Sequence, residues 1–284
     1  MGKQTILMCR PQYFAVDYVI NPWMQSGLGS VDSVRAALQW DHLCDAISDH
    51  AEIVLIDPQP GFPDLVYTAN AGMVFEDKVI ISRFRSAERR GEEKFFERWF
   101  RDYGLNVTLL PEQIYFEGAG DALLDRAQPL IWAGYGFRSD TSSHPLLEQI
   151  FQRETISLRL SDPRFYHLDT CLCPLPGGFM LYYPAAFDAD SLAKIHARVA
   201  PEKRIAVDES DALQFCCNAV ELDGNIFVNG ASEKLRGDLF RAGFNIIVTP
   251  LSEFLKGGGT AKCLTLKLIE CDNLGAAAAP VKVA

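Results

Sequence analysis

Apolar residues recur at three- and four-residue spacing in four windows, 33–49, 86–103, 188–199 and 231–242, and each window is predicted to form a helix. Between them lie short apolar runs of strand length at 53–56, 79–81, 107–110 and 245–248. Two longer stretches, Met73–Ile81 and Ala219–Val228, carry Glu-Asp-Lys and Asp-Gly-Asn at their centres, and such turn chemistry predicts β-hairpins.

These elements repeat. A polar or reactive residue stands just before a strand at Asn70, Glu117, His167, Asn218 and Cys263, at intervals of 47, 50, 51 and 45 residues. A strand or hairpin, usually a helix, and another strand follow each of the first four. Only the start of a fifth unit follows Cys263, and the N-terminal run Ile6–Cys9 is available to complete it. A period near fifty predicts an α/β protein built as a closed, propeller-like array of repeated units. Closure would turn five residues distant in sequence toward one central pocket.

No linker interrupts the pattern, so residues 1–272 read as a single domain, with 273–284 a loose tail. The apolar content of 48% and charged content of 23% are those of a globular chain. No apolar run approaches the roughly 20 residues that span a bilayer, and the start lacks a secretory signal, so a cytoplasmic protein with no membrane partner is expected. A formal charge of −10 argues against nucleic acid as a partner and suits a cationic small molecule. The eight cysteines form no CxxC pair, and most are expected to be reduced core residues.

Three blocks carry the candidate chemistry: Phe116-Glu117-Gly118-Ala119-Gly120-Asp121, His167-Leu168-Asp169-Thr170, and Gly257-Gly258-Gly259-Thr260-Ala261-Lys262-Cys263. Together they resemble the signature blocks of the guanidino-group-modifying enzymes: the arginine deiminases, dimethylarginine dimethylaminohydrolases and amidinotransferases of the pentein fold. The resemblance runs from about residue 6 to residue 270. It implies a pseudo-fivefold ββαβ propeller around a central active site, with no cofactor and no metal.

The residue types suit that chemistry. A guanidinium carbon is a poor electrophile and calls for a thiolate, the role the resemblance gives to Cys263. His167 would protonate the departing nitrogen and then activate water. Glu117 and Asp169 would accept paired N–H bonds from the guanidinium. Taken singly, each residue has a plainer reading: a structural histidine, an exposed turn carboxylate, a flexible glycine turn. The coincidence of all three blocks with the repeat favours catalysis. Asn218 fits the period but not the blocks and reads as a supporting residue. His42, His50, His144 and His196 read as surface or helix residues.

Within the family, deiminases carry an aspartate where this chain has Asn70. That residue, in Thr68-Ala69-Asn70-Ala71-Gly72, and Asn21, in Ile20-Asn21-Pro22-Trp23-Met24, resemble the cyanobacterial arginine dihydrolases, which convert arginine to ornithine, carbon dioxide and two ammonia. Some of those carry a second catalytic domain, and this chain ends where it would begin. The neutral amide of Asn70 would lower the site's preference for charge and let a citrulline-like intermediate stay for a second attack; its plainer reading is a turn amide. Arg138 and Arg89 match family positions that hold the substrate α-carboxylate, although arginines on a helix such as 86–103 are mostly solvated. The expected partner is therefore L-arginine or a related guanidino compound, with homo-oligomerisation left open. The rival readings are a citrulline-releasing deiminase or dimethylaminohydrolase, an amidinotransferase, and a non-catalytic pentein scaffold.

Overall fold

A computed structural model describes residues 4–268; the tail expected at 273–284 lies outside them, as does Cys271. The described chain forms five three-stranded sheets. In four of them an antiparallel hairpin is followed by a helix and a parallel third strand. The first runs Gly72–Phe75, Lys78–Ile81 and Asn106–Thr108, with helix Glu93–Tyr103 as its crossover. The others repeat this with helices His144–Phe151, Ala189–Arg198 and Glu233–Arg241.

The fifth sheet closes the chain on itself. Strand Leu266–Lys267 pairs antiparallel with Gln4–Cys9, which pairs in parallel with Ala51–Ile56 across helix Ser33–Ser48. The N-terminal strand therefore completes the unit that opens after Cys263, as the repeat predicts.

Local sequence explains the elements. Helix Ser33–Ser48 starts where Asp32 accepts from the amides of Val34 and Arg35, and it buries Ala36, Trp40, Leu43 and Ile47 on one stripe. Between Val220–Leu222 and Asn225–Val228, Asp223 and Gly224 both adopt positive φ, the backbone a two-residue hairpin turn needs.

Two boundaries differ from the sequence reading. The helix expected at 86–103 begins only at Glu93, because Gly91 sits at φ 106° and separates it from a single 3₁₀ turn at Ala87–Arg89. The strand expected at 107–110 pairs only through Thr108; Leu109 is exposed, and Pro111 has no amide to donate. His144, read as a surface or helix residue, begins a helix but is buried, with Nδ1 2.7 Å from Ser157 Oγ.

The opening strand of every sheet faces one common cavity, lined among others by Val74, Leu123, Cys173, Val220 and Leu266. The repeated units thus surround a shared interior. Among the described residues no helix is long and apolar enough to cross a membrane, and all seven described cysteines are free thiols.

Candidate active site

Each repeat residue is placed by a tight turn at the start of its sheet. Asn70 lies in the 3₁₀ turn Thr68–Ala71, while Glu117 and His167 directly precede the turns Gly118–Gly120 and Leu168–Thr170. The turns interlock through backbone: Ala69 N donates to Cys263 O, and Lys262 N to Asn218 O. Small residues permit this approach. A Cβ on Gly120 would press into Asn70 Nδ2 and stand 3.3 Å from His167 Nδ1, so two units meet through its missing side chain.

Cys263 is the centre of the cluster. Its Sγ lies 3.2 Å from the donating Asn218 Nδ2 and 3.6 Å from Asp169 Oδ2. Asn218 Oδ1 in turn accepts from the amides of Thr260 and Cys263 and from Thr260 Oγ1. It therefore holds the loop and touches the sulfur, in keeping with the supporting part read from its period. Burial pushes the Cys263 thiol well above its ordinary range, and the Asp169 charge adds to this, while Asn218 and the Thr260 amide work the other way. Burial also raises Asp169, to about 7, against the pull of the Lys262 ammonium and of bonds from Cys263 and Asn218. With these neighbours alone the thiol is protonated, and its ionisation calls for an added positive charge nearby.

Glu117 is engaged on both oxygens. Oε2 receives Arg138 Nη1 at 3.0 Å and His167 Nε2 at 2.7 Å, and Oε1 accepts from Arg85 N. Burial acts to raise this carboxyl, but the Arg138 charge and His167 outweigh it and hold it well below the usual carboxylate range. The sequence reading aimed Glu117 at a ligand guanidinium; its neighbours here are Arg138 and His167. Because an ionised carboxylate only accepts, His167 Nε2 carries the hydrogen toward it, and in the neutral ring Nδ1 holds the lone pair. That Nδ1 is buried without a protein partner. Asp121 braces the arrangement, accepting from Leu168 N and from Ser139 Oγ, which itself accepts from Glu117 N.

A narrow chamber opens beside the sulfur, walled by Asn21, Asp64, Asn70, Arg89, Arg138 and Cys263. Glu117, His167 and Asp169 stand behind this wall. Asp64 was not singled out in the sequence. It is buried, its Oδ2 accepts from Tyr18 Oη at 2.9 Å, and its Oδ1 has no partner. Burial raises it despite the adjacent Arg89. It offers an unused acceptor to a cation in the chamber.

Arg89 departs from the solvated reading. It is buried at 3% exposure, makes paired bonds to Glu92, and donates to Asp64 O and, at 2.8 Å, to Asn70 Oδ1. Most of its donors are thus spent on protein, and one of its effects is to orient Asn70. The Asn70 amide N–H faces Glu117 O at 3.3 Å. Arg138 is also buried, and its Nη2 donates to Ile20 O.

The glycine loop before Cys263 is clamped rather than loose. Tyr67 Oη donates to Phe254 O, Tyr166 Oη to Gly258 O, and Asn21 Nδ2 to Gly257 O. Gly258 has φ 87°, and a Cβ there would lie 2.8 Å from Tyr166 Oη. The glycines serve close backbone approach. Asn21 also caps helix Pro22–Gly27 through Trp23 N and Met24 N, which ties the N-terminal segment over the chamber.

Known proteins share this sequence and fold. AgrE of Nostoc sp., a bifunctional arginine dihydrolase/ornithine cyclodeaminase, is 53% identical over 264 residues, 93% of this chain but 38% of its own length. This chain therefore spans well under half of that curated relative. The N-terminal domain of ArgZ, an arginine dihydrolase of the cyanobacterial ornithine–ammonia cycle solved as a cysteine-to-serine mutant bound to substrate, superposes with a TM-score of 0.93 at 51% identity. That match covers 94% of this chain and 98% of the domain. An asparagine-to-serine variant of the same domain, covalently bound to a reaction intermediate, superposes with a TM-score of 0.92 at 51% identity, covering 93% of this chain and 97% of that one. The family described as N,N dimethylarginine dimethylhydrolase, eukaryotic, matches residues 10–270, nearly the whole described chain, and this protein belongs to that family.

Proposed function

We propose that this chain hydrolyses the guanidino group of L-arginine twice, giving ornithine, carbon dioxide and two ammonia through intermediates on Cys263. The observation that carries the reading is the Cys263 thiol at the wall of a closed chamber that also presents the unpartnered Asp64 oxygen, the neutral Asn70 amide and the Arg138 guanidinium. The first receives a cation, the second a neutral ureido group, and the third an α-carboxylate. The relatives that bear the name arginine dihydrolase support the same reading.

In this mechanism the incoming guanidinium supplies the positive charge that Cys263 needs to ionise. As Cys263 ionises its proton passes to His167 Nδ1, the thiolate attacks the guanidinium carbon, and His167 hands that proton to the departing nitrogen, so that ammonia leaves a thiouronium on Cys263. His167 then takes a proton from water, whose oxygen bonds to that carbon as the C–S bond breaks. The neutral ureido product is held by the Asn70 amide, and the proton that His167 took from water now supplies the positive charge for a second ionisation of Cys263 and a second attack. The second ammonia leaves a thiocarbamate, and water releases a carbamate that loses carbon dioxide to give ornithine. Glu117 fixes the ring of His167, Asn218 donates to the sulfur, Asp169 exchanges a proton with it, and Asn21 and Arg89 shape the chamber.

The five sheets close as a propeller in this reading, with the first strand of each around the axis and the site at one end; the common cavity supports that closure. Residues 1–272 act as one catalytic unit on a small-molecule substrate. Seven free thiols suit a reducing compartment such as the cytoplasm.

The family description favours one alternative, release of citrulline from a methylated arginine. Incubating the purified chain with L-arginine and with dimethylarginine separates the two. Ornithine with two ammonia per arginine supports the dihydrolase; citrulline as sole product from either substrate refutes it.

A further inference from the structure

A second cavity lies on the far side of Asp169 from the reacting sulfur. It lies between the first strands of all five sheets with room for about 50 Å³ of water-sized molecules, and Asp169 and Lys262 line it. Cys263 lines the front chamber but not this cavity, while Asp169 lines this cavity but not the front chamber. With its Oδ2 3.6 Å from Cys263 Sγ, Asp169 stands as the partition between the two.

The dihydrolase reading, on which this inference rests, creates a traffic problem. Each arginine needs two waters brought to one carbon and two ammonia taken away, while the remainder of the molecule stays in place. The front chamber is small, and its entrance is tied down by Arg138 donating to Ile20 O and Asn21 donating to Gly257 O. In that reading arginine lies with its carboxylate at Arg138 and its guanidinium at Cys263, both of which wall this narrow chamber.

We propose that the axial cavity is the passage by which water reaches the covalent intermediates and ammonia leaves them. When His167 has protonated the leaving nitrogen and the C–N bond has broken, the departing group is neutral ammonia. A small neutral molecule crosses a narrow wall of Val74, Leu123 and Leu266 at low cost, whereas ammonium or arginine would lose its hydration there. Asp169, Lys262 and Thr265 supply hydrogen-bond partners at the inner end, and Glu221 and Arg126 supply them elsewhere along the wall. Water entering by the same route supplies the oxygen of each new C–O bond.

Blocking the passage without touching the front chamber tests this. Ala122→Leu and Cys173→Met add bulk to the cavity from two different sheets. The expected result is a fall in ammonia release of about tenfold or more for at least one variant. Arginine binding, measured in a Cys263→Ser background, should stay within about threefold, and quenched samples should show more enzyme carrying the covalent adduct. Variants that fold, bind arginine and release ammonia at the wild-type rate overturn the passage. So does a loss of rate matched by an equal loss of binding, since that places the effect in the front chamber. A wild-type enzyme that gives citrulline and one ammonia defeats the dihydrolase reading but leaves the passage tested by the same comparison. A wild type that releases no ammonia defeats both.

Discussion

Arg138 Nη1 lies 3.0 Å from Glu117 Oε2, the oxygen that also takes the 2.7 Å bond of His167 Nε2. One buried carboxylate thus neutralises an arginine and sets the tautomer of a histidine, so the residues proposed to bind the substrate and to move protons share an anchor. Glu117→Gln keeps the shape, loses the charge and leaves the Arg138 guanidinium without its partner. Turnover should fall about 10²–10⁴-fold, and unfolding free energy by about 3–5 kcal/mol. Steady-state assays and denaturant melts measure both.

The same contact predicts a pH effect. Glu117 is held below its ordinary value, so the folded state binds fewer protons there than the unfolded chain. Its contribution is present above the ordinary carboxylate value of 4.5 and is lost as the pH falls below that. Wild-type stability should therefore drop more steeply on acidification than that of Glu117→Gln. Parallel curves would show that Glu117 is not ionised by its partners.

Asp169 beside Cys263 predicts the opposite of a simple loss. Its charge helps keep the thiol protonated, so Asp169→Asn should make Cys263 of the substrate-free enzyme more reactive toward iodoacetamide while turnover falls. Since Asp169 ionises near 7, the gap between variant and wild type should widen as pH rises through that value. Alkylation at the wild-type rate on both sides of it would remove Asp169 from control of the thiol.

In the proposed reaction Asn70 would govern the fate of the first hydrolysis product. An aspartate there would keep the Arg89 bond but lose the N–H that faces Glu117 O, and it would add a second carboxylate to the chamber wall beside Asp64. The cationic substrate would still be held, and the neutral ureido intermediate would be held less well. Asn70→Asp should raise the citrulline-to-ornithine ratio about tenfold, the equivalent of ~1.4 kcal/mol. An unchanged ratio at matched arginine consumption would return Asn70 to the role of a turn amide.

The repeat was legible because each unit places its reactive residue at the start of a strand. Asn70, Glu117, His167, Asn218 and Cys263 all carry that signal, and the N-terminal strand closes the fifth sheet as the interrupted period requires. Contacts made across units were not legible. Asp64 lies in a short turn with no periodic mark, and only folding brings it to Tyr18 and the chamber. Arg89 looked like one face of a long helix; Gly91 ends that pattern, and the 3₁₀ turn tucks the guanidinium under Asn70. Asn218 shows its grip on the sulfur only once two strand starts that are 45 residues apart meet.

A covalent bond between Cys263 and the arginine carbon is the step on which everything else depends. Rapid acid quench during turnover of arginine labelled at the guanidino carbon, followed by peptide mass analysis, looks for it directly. The label should appear on the peptide containing Cys263, vanish as ornithine forms, and be absent from Cys263→Ser. Label on another cysteine, or turnover to ornithine by Cys263→Ser, would contradict the mechanism.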